Sequence, residues 1–211
     1  MKNTGNWIIL IILVIFIAGG VILALPRKSQ GPDNTNDGAG QTVQNDESLI
    51  YRDGASQIGP GSASVKIVVF SDYLCPYCKV LSEQLTTISE KYPNDVIIYH
   101  RTFIIHDDAV IMAKAAEAAN KQGKFKEANE AIFESFNTGS QSSMDAMAKA
   151  IGLNIDQFDK DLNSSDVQNI INKDNSDATA LNLGGTPSVY LNGAFVEDPS
   201  TLSAQIDSLL K

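Results

Sequence analysis

The chain has 211 residues, 43% hydrophobic and 19% charged, with 16 basic against 25 acidic side chains for a formal net charge of -9. That length holds one compact domain with attachments and excludes a large multidomain enzyme. The acidic balance, with no Lys/Arg cluster beyond Arg27 and Lys28, argues against nucleic acid as a partner, and two cysteines, Cys75 and Cys78, are too few for a disulfide-stapled mini-domain.

From Trp7 to Leu25 runs an uncharged, almost wholly apolar stretch of nineteen residues. As a helix it extends roughly 28 Å against a hydrocarbon core of about 30 Å. It exceeds the usual apolar region of a cleaved signal peptide, roughly 7–15 residues, and Ala24-Leu25-Pro26 makes a poor cleavage site. The expectation is a short N-terminus at 1–6 and an uncleaved, single transmembrane anchor at 7–25. Lys2 before the span and Arg27 and Lys28 after it barely discriminate orientation. Residues 26–48 are rich in Gly, Asn, Asp, Gln and Thr and read as a flexible linker. The first 28 residues hold three bases and no acids, so the remaining 13 basic and 25 acidic side chains give residues 29–211 a net charge of -12.

Within that domain, Leu49 to Ile58 reads as a leading strand or hairpin. Val65 to Phe70 has the β-branched, apolar pattern of a central buried strand. Asp72 to Cys78 forms a turn, and Val80, Leu81, Leu85 and Ile88 place an apolar stripe on a helix ending near Tyr92-Pro93. Val96 to Tyr99 is a second buried strand, so strand, helix, strand predicts a parallel crossover. From about 107 to 183 the pattern is helical. It gives five helices, the third carrying Met144, Met147, Ala148 and Ile151, the fourth opened by an Asn154/Gln157 capping box and the fifth capped by Ser165. Methionines at that spacing are core filler. Ser188 to Leu191, a turn at Asn192-Gly193 and Ala194 to Val196 return to strands, before Asp198-Pro199 caps a last helix with Leu202, Ile206 and Leu209 inward. A helical block interrupts an α/β domain.

The chemistry sits at Cys75-Pro76-Tyr77-Cys78, where the first central strand becomes the first helix. Cys75 lies at the helix N-terminus, where unpaired N–H groups and the positive dipole end favour a thiolate, so it is the attacking nucleophile. Cys78, one turn along, is placed to resolve the mixed disulfide that Cys75 forms. Pro76 suits the first helical turn, and Pro76 and Tyr77 between the cysteines tune the redox couple. Far along the chain, Gly184-Gly185-Thr186-Pro187 precedes the last strand pair. Alone it is an ordinary trans turn. Joined to the CxxC on this fold, it fits a cis bond at Pro187 beside the cysteines, with the Thr186 backbone open to an extended substrate peptide.

Two readings of another class compete. Cys75, Cys78, His100 and His106 give a C-x2-C-x21-H-x5-H set that a structural zinc would need, though the middle spacing is longer than a finger's and Pro76-Tyr77 suits a redox turn. Otherwise His100 and His106 are surface or helix-capping histidines. The second is a non-catalytic anchored interaction domain whose cysteines form a structural bond, but a two-residue loop gains little from closure. Asp72 and Lys79 beside the motif are solvated charges or act on the Cys75 thiol.

The stretch Ser71-Asp72-Tyr73-Leu74-Cys75-Pro76-Tyr77-Cys78, the helix around Ala115-Ala116-Glu117-Ala118-Ala119, Gln122-Gly123-Lys124-Phe125 and Gly185-Thr186-Pro187-Ser188-Val189-Tyr190-Leu191-Asn192-Gly193 together resemble the DsbA-like thiol-disulfide oxidoreductases. The likeness runs from about Ile50 to Leu210. It implies an α/β thioredoxin fold with an inserted helical domain, behind a single N-terminal transmembrane helix. It further implies a redox-active Cys75–Cys78 disulfide with no other cofactor and no metal, Pro187 in cis, and an extracytoplasmic domain held at the cell membrane, in a bacterium. The implied activity is disulfide donation to unfolded exported proteins with cysteines, with a quinone-linked membrane partner as reoxidant. Isomerisation or reduction by the same fold is the alternative. One departure stands out: such proteins often carry a buried Glu six residues before the first cysteine, and here that place is Val69. Proton transfer to and from Cys78 then falls to water, or to Lys66 or Asp72 at the rim.

Overall fold

The computed structural model describes residues 46–135 and 139–211. The expected anchor at 7–25, and the linker as far as residue 45, lie outside them; among the described residues no helix is long and apolar enough to cross a membrane. At the start the structure departs from the expected strand. The Asp46 carboxylate accepts from the Ser48 N–H and so opens a one-turn helix, α1 (Glu47–Ile50), which leaves only Ser56–Ile58 as strand β1. Past β1, Gly59 at φ +103 lets the chain press against the Val96 carbonyl, where a Cβ would collide.

Five strands form one sheet in the order β1-β3-β2-β4-β5. β2 (Val65–Ser71) and β3 (Val96–Thr102) pair in parallel, Val65 opposite Val96 through Ser71 opposite Thr102, and α2 (Pro76–Lys91) joins them. β1 runs antiparallel along β3, and β4 (Ser188–Leu191) runs antiparallel along β2. The hairpin to β5 (Ala194–Phe195) turns at Asn192 and Gly193, both at positive φ, which matches the twist of a two-residue loop. β5 stops one residue short of the expected Val196.

The apolar run of β2 follows from burial on both faces. Val65, Ile67 and Val69 pack with Leu81, Leu85 and Ile88 of α2 and with Leu202 and Ile206 of α8 (Leu202–Leu209). Val68 and Phe70 point the other way, onto Ile50, Ala178, Leu181 and Tyr190. Two expected inward residues face out instead. Val80 is 64% exposed, because the buried stripe of α2 follows Cys78, Leu81, Ser82, Leu85 and Ile88, and Leu209 lies beyond the last covered turn.

Between β3 and β4 stand α3 (Ala109–Asn120), α4 (Phe125–Ser135), α5 (Gln141–Ala150), α6 (Ile155–Leu162) and α7 (Ser165–Ala180), within the expected 107–183 block. The alanines of α3 are buried because that helix packs on the other four, and small side chains admit close approach. Met144, Met147 and Ala148 are core, as expected. The caps differ in detail. Ser164, not Ser165, caps α7, and Asn154 accepts the Gln157 N–H while the Gln157 side chain turns to Asp161 instead of closing a box. The reciprocal capping box is at Ser140 and Ser143. Asp198-Pro199 caps a 3-10 turn, Pro199–Thr201, that runs into α8.

One buried ionic cluster ties the helical block to the sheet. Arg101 of β3 is 1% exposed; its Nε donates to Asp174 Oδ1 at 2.7 Å, its Nη2 to Asp177 Oδ2 at 2.5 Å, and its Nη1 to the Leu49 and Ile50 carbonyls. Arg52 also donates to Asp174 Oδ1, and Asp174 Oδ2 accepts from the Thr102 N–H. Truncating one partner of such a pair strands the opposite charge in the interior, at a cost of about 3–5 kcal/mol. Arg101→Leu is therefore expected to lower the urea midpoint by that amount of stability at unchanged slope, and a loss under about 1 kcal/mol would show that the cluster is not a keystone.

Candidate functional site

Cys75 is the N-cap of α2, in extended conformation, and Pro76 is its first helical residue. The helix begins here because proline lacks the N–H that the first turn leaves unpaired. Cys78 then faces the core one turn on, where its N–H donates to the Cys75 carbonyl. Both cysteines are free thiols and nearly sealed, at 4% and 2% exposure. Tyr77 between them is 76% exposed and shares its helix face with Val80, so the motif turns an apolar surface outward beside a buried pair of sulfurs.

The second half of the site comes from the chain entering β4. The Thr186-Pro187 bond is cis, as expected. Pairing of Phe70 with Ser188 sets this turn beside the segment leaving β2, and the Ser188 hydroxyl closes it by donating to the Gly185 carbonyl at 2.7 Å. The Cys75 Sγ–H donates to the Thr186 carbonyl at 3.3 Å. Residues 111 apart in sequence thus meet at the reactive sulfur. The Thr186 hydroxyl is buried without a hydrogen-bond partner and faces the Cys78 sulfur closely enough to favour its thiolate.

Burial dominates at Cys78 and pushes its thiol up to about 12, while the Asp72 backbone and the Thr186 hydroxyl pull it down less strongly. At neutral pH Cys78 is a thiol that reacts only after losing its proton. It lines a cavity of about 10 Å³ with Val69, Ser71, Leu81, Ser82, Leu85, His100 and Phe133. Behind Ser82 lies a polar strip: Asn129 donates to Ser82 Oγ at 3.5 Å and accepts from the Tyr73 hydroxyl at 3.0 Å. Burial, with the charge of Glu117 added, raises the Tyr73 phenol far above its ordinary range. Glu117 itself is buried under β1, both its oxygens accepting from Ser56 Oγ at 2.9 Å, and burial raises its carboxyl to about 7.

Three side chains stand differently from expectation. His100 is not a surface residue: it is 7% exposed on β3, in register with Val69, and packed against the Phe125 ring, centroids 5.0 Å apart and planes tilted by 55°. Burial lowers it to about 4, so it is a neutral imidazole. Asp72 is not at the rim but fully buried. Its carboxylate accepts the N–H groups of Leu74, Ile105 and His106 and lies 3.2 Å from His106 Nδ1, which brackets the cysteine loop to the segment after β3. Lys66 sits near the far end of β2 over the Tyr51 ring, away from the cysteines. Lys79 reaches the Glu134 carbonyl at 3.4 Å. Among the described residues no group of three or more His, Cys, Asp or Glu is placed to hold a metal ion. A cavity of about 600 Å³ between β4, β5 and α8 contains neither cysteine.

A cysteine pair opening a helix, set against a cis-proline turn on a sheet that carries an inserted helical block, makes a thioredoxin-like architecture. The chain belongs to the Thioredoxin family, whose sequence profile matches residues 53–210. It is 30% identical over 168 residues to the probable disulfide bond formation protein D of Bacillus cereus, covering 73% of this chain and 78% of that one. It is 31% identical over 156 residues to the Na(+)/H(+) antiporter NhaA 1 of Mycolicibacterium vanbaalenii, but spans only about 25% of that relative's length. In fold it is similar to the thiol-disulfide exchange protein alpha-DsbA2 of Wolbachia pipientis, with a TM-score of 0.69 at 22% identity over 77% of this chain and 91% of that one.

Glu117, Ser82, Asn129 and Tyr73 went unmarked in the sequence. Glu117 had a signal, a lone acid in the run Ala115-Ala116-Glu117-Ala118-Ala119. Because its carboxyl titrates higher folded than unfolded, the protonated form stabilises the protein fully below about pH 4.5, and that contribution is lost as pH rises through about 7. His100, titrating lower folded than unfolded, acts oppositely between about pH 4 and 6.5. Glu117→Gln is therefore expected to gain stability relative to wild type as pH rises from 4.5 to 7, by at most about 1.4 kcal/mol per pH unit. Denaturant unfolding at several pH values checks this, and a constant difference would rule out an abnormal carboxyl.

Proposed function

We propose that the protein donates disulfide bonds to exported proteins through Cys75 and Cys78, with its domain outside the membrane and its N-terminus in the cytoplasm. The observation that carries this is the Cys75 sulfur at the N-terminus of α2, 3.3 Å from the Thr186 carbonyl of the cis-proline turn. There a substrate strand laid along residues 185–187 would bring its own sulfur onto Cys75. In the oxidised form a substrate thiolate attacks Cys75 Sγ; the Cys75–Cys78 bond breaks, and Cys78 takes up a proton. A second substrate thiolate then attacks the substrate sulfur of the mixed disulfide, which releases the Cys75 thiolate and leaves the substrate oxidised by two electrons. A membrane partner that passes those electrons to quinone restores the disulfide.

Several features support the direction and place. The apolar 7–25 segment fits an anchor, and two cysteines in one motif leave no third thiol to mispair in an oxidising space. The relative in Bacillus cereus is named for disulfide bond formation, and the antiporter relative attaches a matching stretch to a membrane transporter. The exposed Tyr77 and Val80 offer apolar surface to an unfolded chain.

Cys75→Ser is expected to abolish transfer, whereas Cys78→Ser still attacks and traps substrates as mixed disulfides visible on non-reducing gels. Adducts on Cys75→Ser but not on Cys78→Ser would reverse the roles. Acid quench and alkylation of living cells tests the direction: a mainly disulfide state is expected, and a mainly dithiol state would turn the reading to reduction or isomerisation. Protease added to cells with the outer layer opened should remove the domain, and full protection would overturn the placement.

A further inference from the structure

We infer that His100 exchanges the proton of the Cys78 sulfur, acting through one water in the cavity that both line. The inference rests on the thiol-disulfide exchange reading. Cys78 is buried and must lose a proton before it can resolve a mixed disulfide, so a base has to reach it. The cavity wall offers few. Val69, Leu81, Leu85 and Phe133 are apolar, and the Ser71 and Ser82 hydroxyls are not bases at neutral pH. His100 is the one basic side chain of that lining, 93% buried by its 7% exposure, and its Nε2 has no hydrogen-bond partner. A buried unpartnered imidazole nitrogen costs free energy, and one that accepts from a water in reach of a thiol recovers it. The volume, about 10 Å³, is that of about one water.

Other candidates are accounted for. Asp72 has its carboxylate engaged by three backbone N–H groups, Lys66 is distant, and Glu117 is held by Ser56 on β1, one strand beyond His100. The register explains how a histidine stands in for an acid on the neighbouring strand. Val69 and His100 are partners across the parallel β2/β3 pair, so their side chains leave the same face of the sheet about 4.8 Å apart.

In resolution, Cys78 gives its proton to the water as the water gives one to His100 Nε2. The sulfur's electron pair attacks Cys75 Sγ, the Cys75–Cys78 bond forms, the bond from Cys75 to the substrate sulfur breaks, and the substrate leaves as a thiolate. The cysteine pair is oxidised by two electrons and the substrate disulfide reduced. When Cys78 departs in the opposite direction, the same path carries a proton back to it.

The test uses reduced full-length protein and an aromatic disulfide reagent that releases a coloured thiolate twice, first when Cys75 attacks and again when Cys78 resolves the adduct. In His100→Gln and His100→Phe the first release should be unchanged and the second slowed by about 100-fold, the low end for a positioned acid–base group. The pH profile separates chemistry from packing. The titratable groups facing His100 are Cys78 from α2 and, beyond Ser56 of β1, Glu117 from α3; Val69 of β2 and Phe125 and Phe133 of α4 bring no charge. With a neutral imidazole as acceptor the wild-type second release should be nearly flat from about pH 6 to 9. Without it, the variants should gain close to tenfold per pH unit, as a thiol titrating near 12 ionises in solvent. An unchanged second release, or wild type already gaining tenfold per pH unit, overturns the inference. So does equal slowing of both releases, which marks a packing role. Should His100→Phe not fold, His100→Gln decides alone. Absence of any first release in wild type would instead sink the exchange reading itself.

Discussion

Arg101 carries its charge into the centre of the protein, and the position of the site follows from how that charge is met. Its guanidinium holds Asp174 and Asp177 of α7 against β3 while capping the carbonyls that end α1. α7 placed in this way supplies Asn175 Oδ1 to the Ile104 N–H, and the next two N–H groups, of Ile105 and His106, are taken by Asp72. Asp72 in turn fixes Leu74 through its side chain and Cys75 through its carbonyl. A connected series of polar contacts therefore runs from a buried cation to the reactive loop, each partner satisfying a backbone group that a buried loop would otherwise leave unpaired. The planar fork of donors suits Arg to this place, and a lysine could not reach both aspartates and two carbonyls with three donors.

The two cysteines receive different surroundings from four residues of chain. Cys75 sits where the helix leaves its N–H groups unpaired and where the Thr186 carbonyl comes within reach; Cys78, one turn inward, is enclosed by the sheet and the helical block. A helix N-terminus favours negative charge only within its first turn, and burial penalises charge wherever water is removed. The spacing of two residues puts one cysteine at the helix end and the other a turn deeper in the core. The cost is a resolving thiol that cannot ionise unaided, and this makes the occupants of the cavity beside it matter more than those of the rim.

Much of this was legible in the residues. β2 and β3 declared themselves through β-branched runs, α2 through its stripe, and the cysteine pair and Thr186-Pro187 through motifs whose chemistry needs them together. What escaped was tertiary. A capping aspartate drew Leu49 and Ile50 into helix α1 and left only Ser56–Ile58 as strand, and local propensity could not announce that Asp72 would be enclosed by a loop thirty-odd residues later. His100 was misplaced for a related reason: a polar residue in a strand looks like an edge, unless the strand is covered on both faces, and β3 is covered by α2 and α4 on the His100 side and by α7 on the Arg101 side.

The exchange of chemistry between Val69 and His100 shows what a sheet permits. In a parallel pair in register, partnered positions present side chains to the same volume, so a functional group can move one strand over and still address the same atom. The move changes the group's character. A buried acid prefers its proton and must be coaxed to lose it, whereas a buried imidazole is already neutral and open to a proton, though burial also makes it a weaker base. Glu117 is kept a strand farther away behind Ser56, and when ionised its charge raises the Tyr73 phenol. Placing the base on β3 also brings it against the Phe125 ring of α4, whose Phe133 closes one side of a cavity otherwise lined by β2, β3 and α2, so the inserted block and the core sheet together shape the proton path.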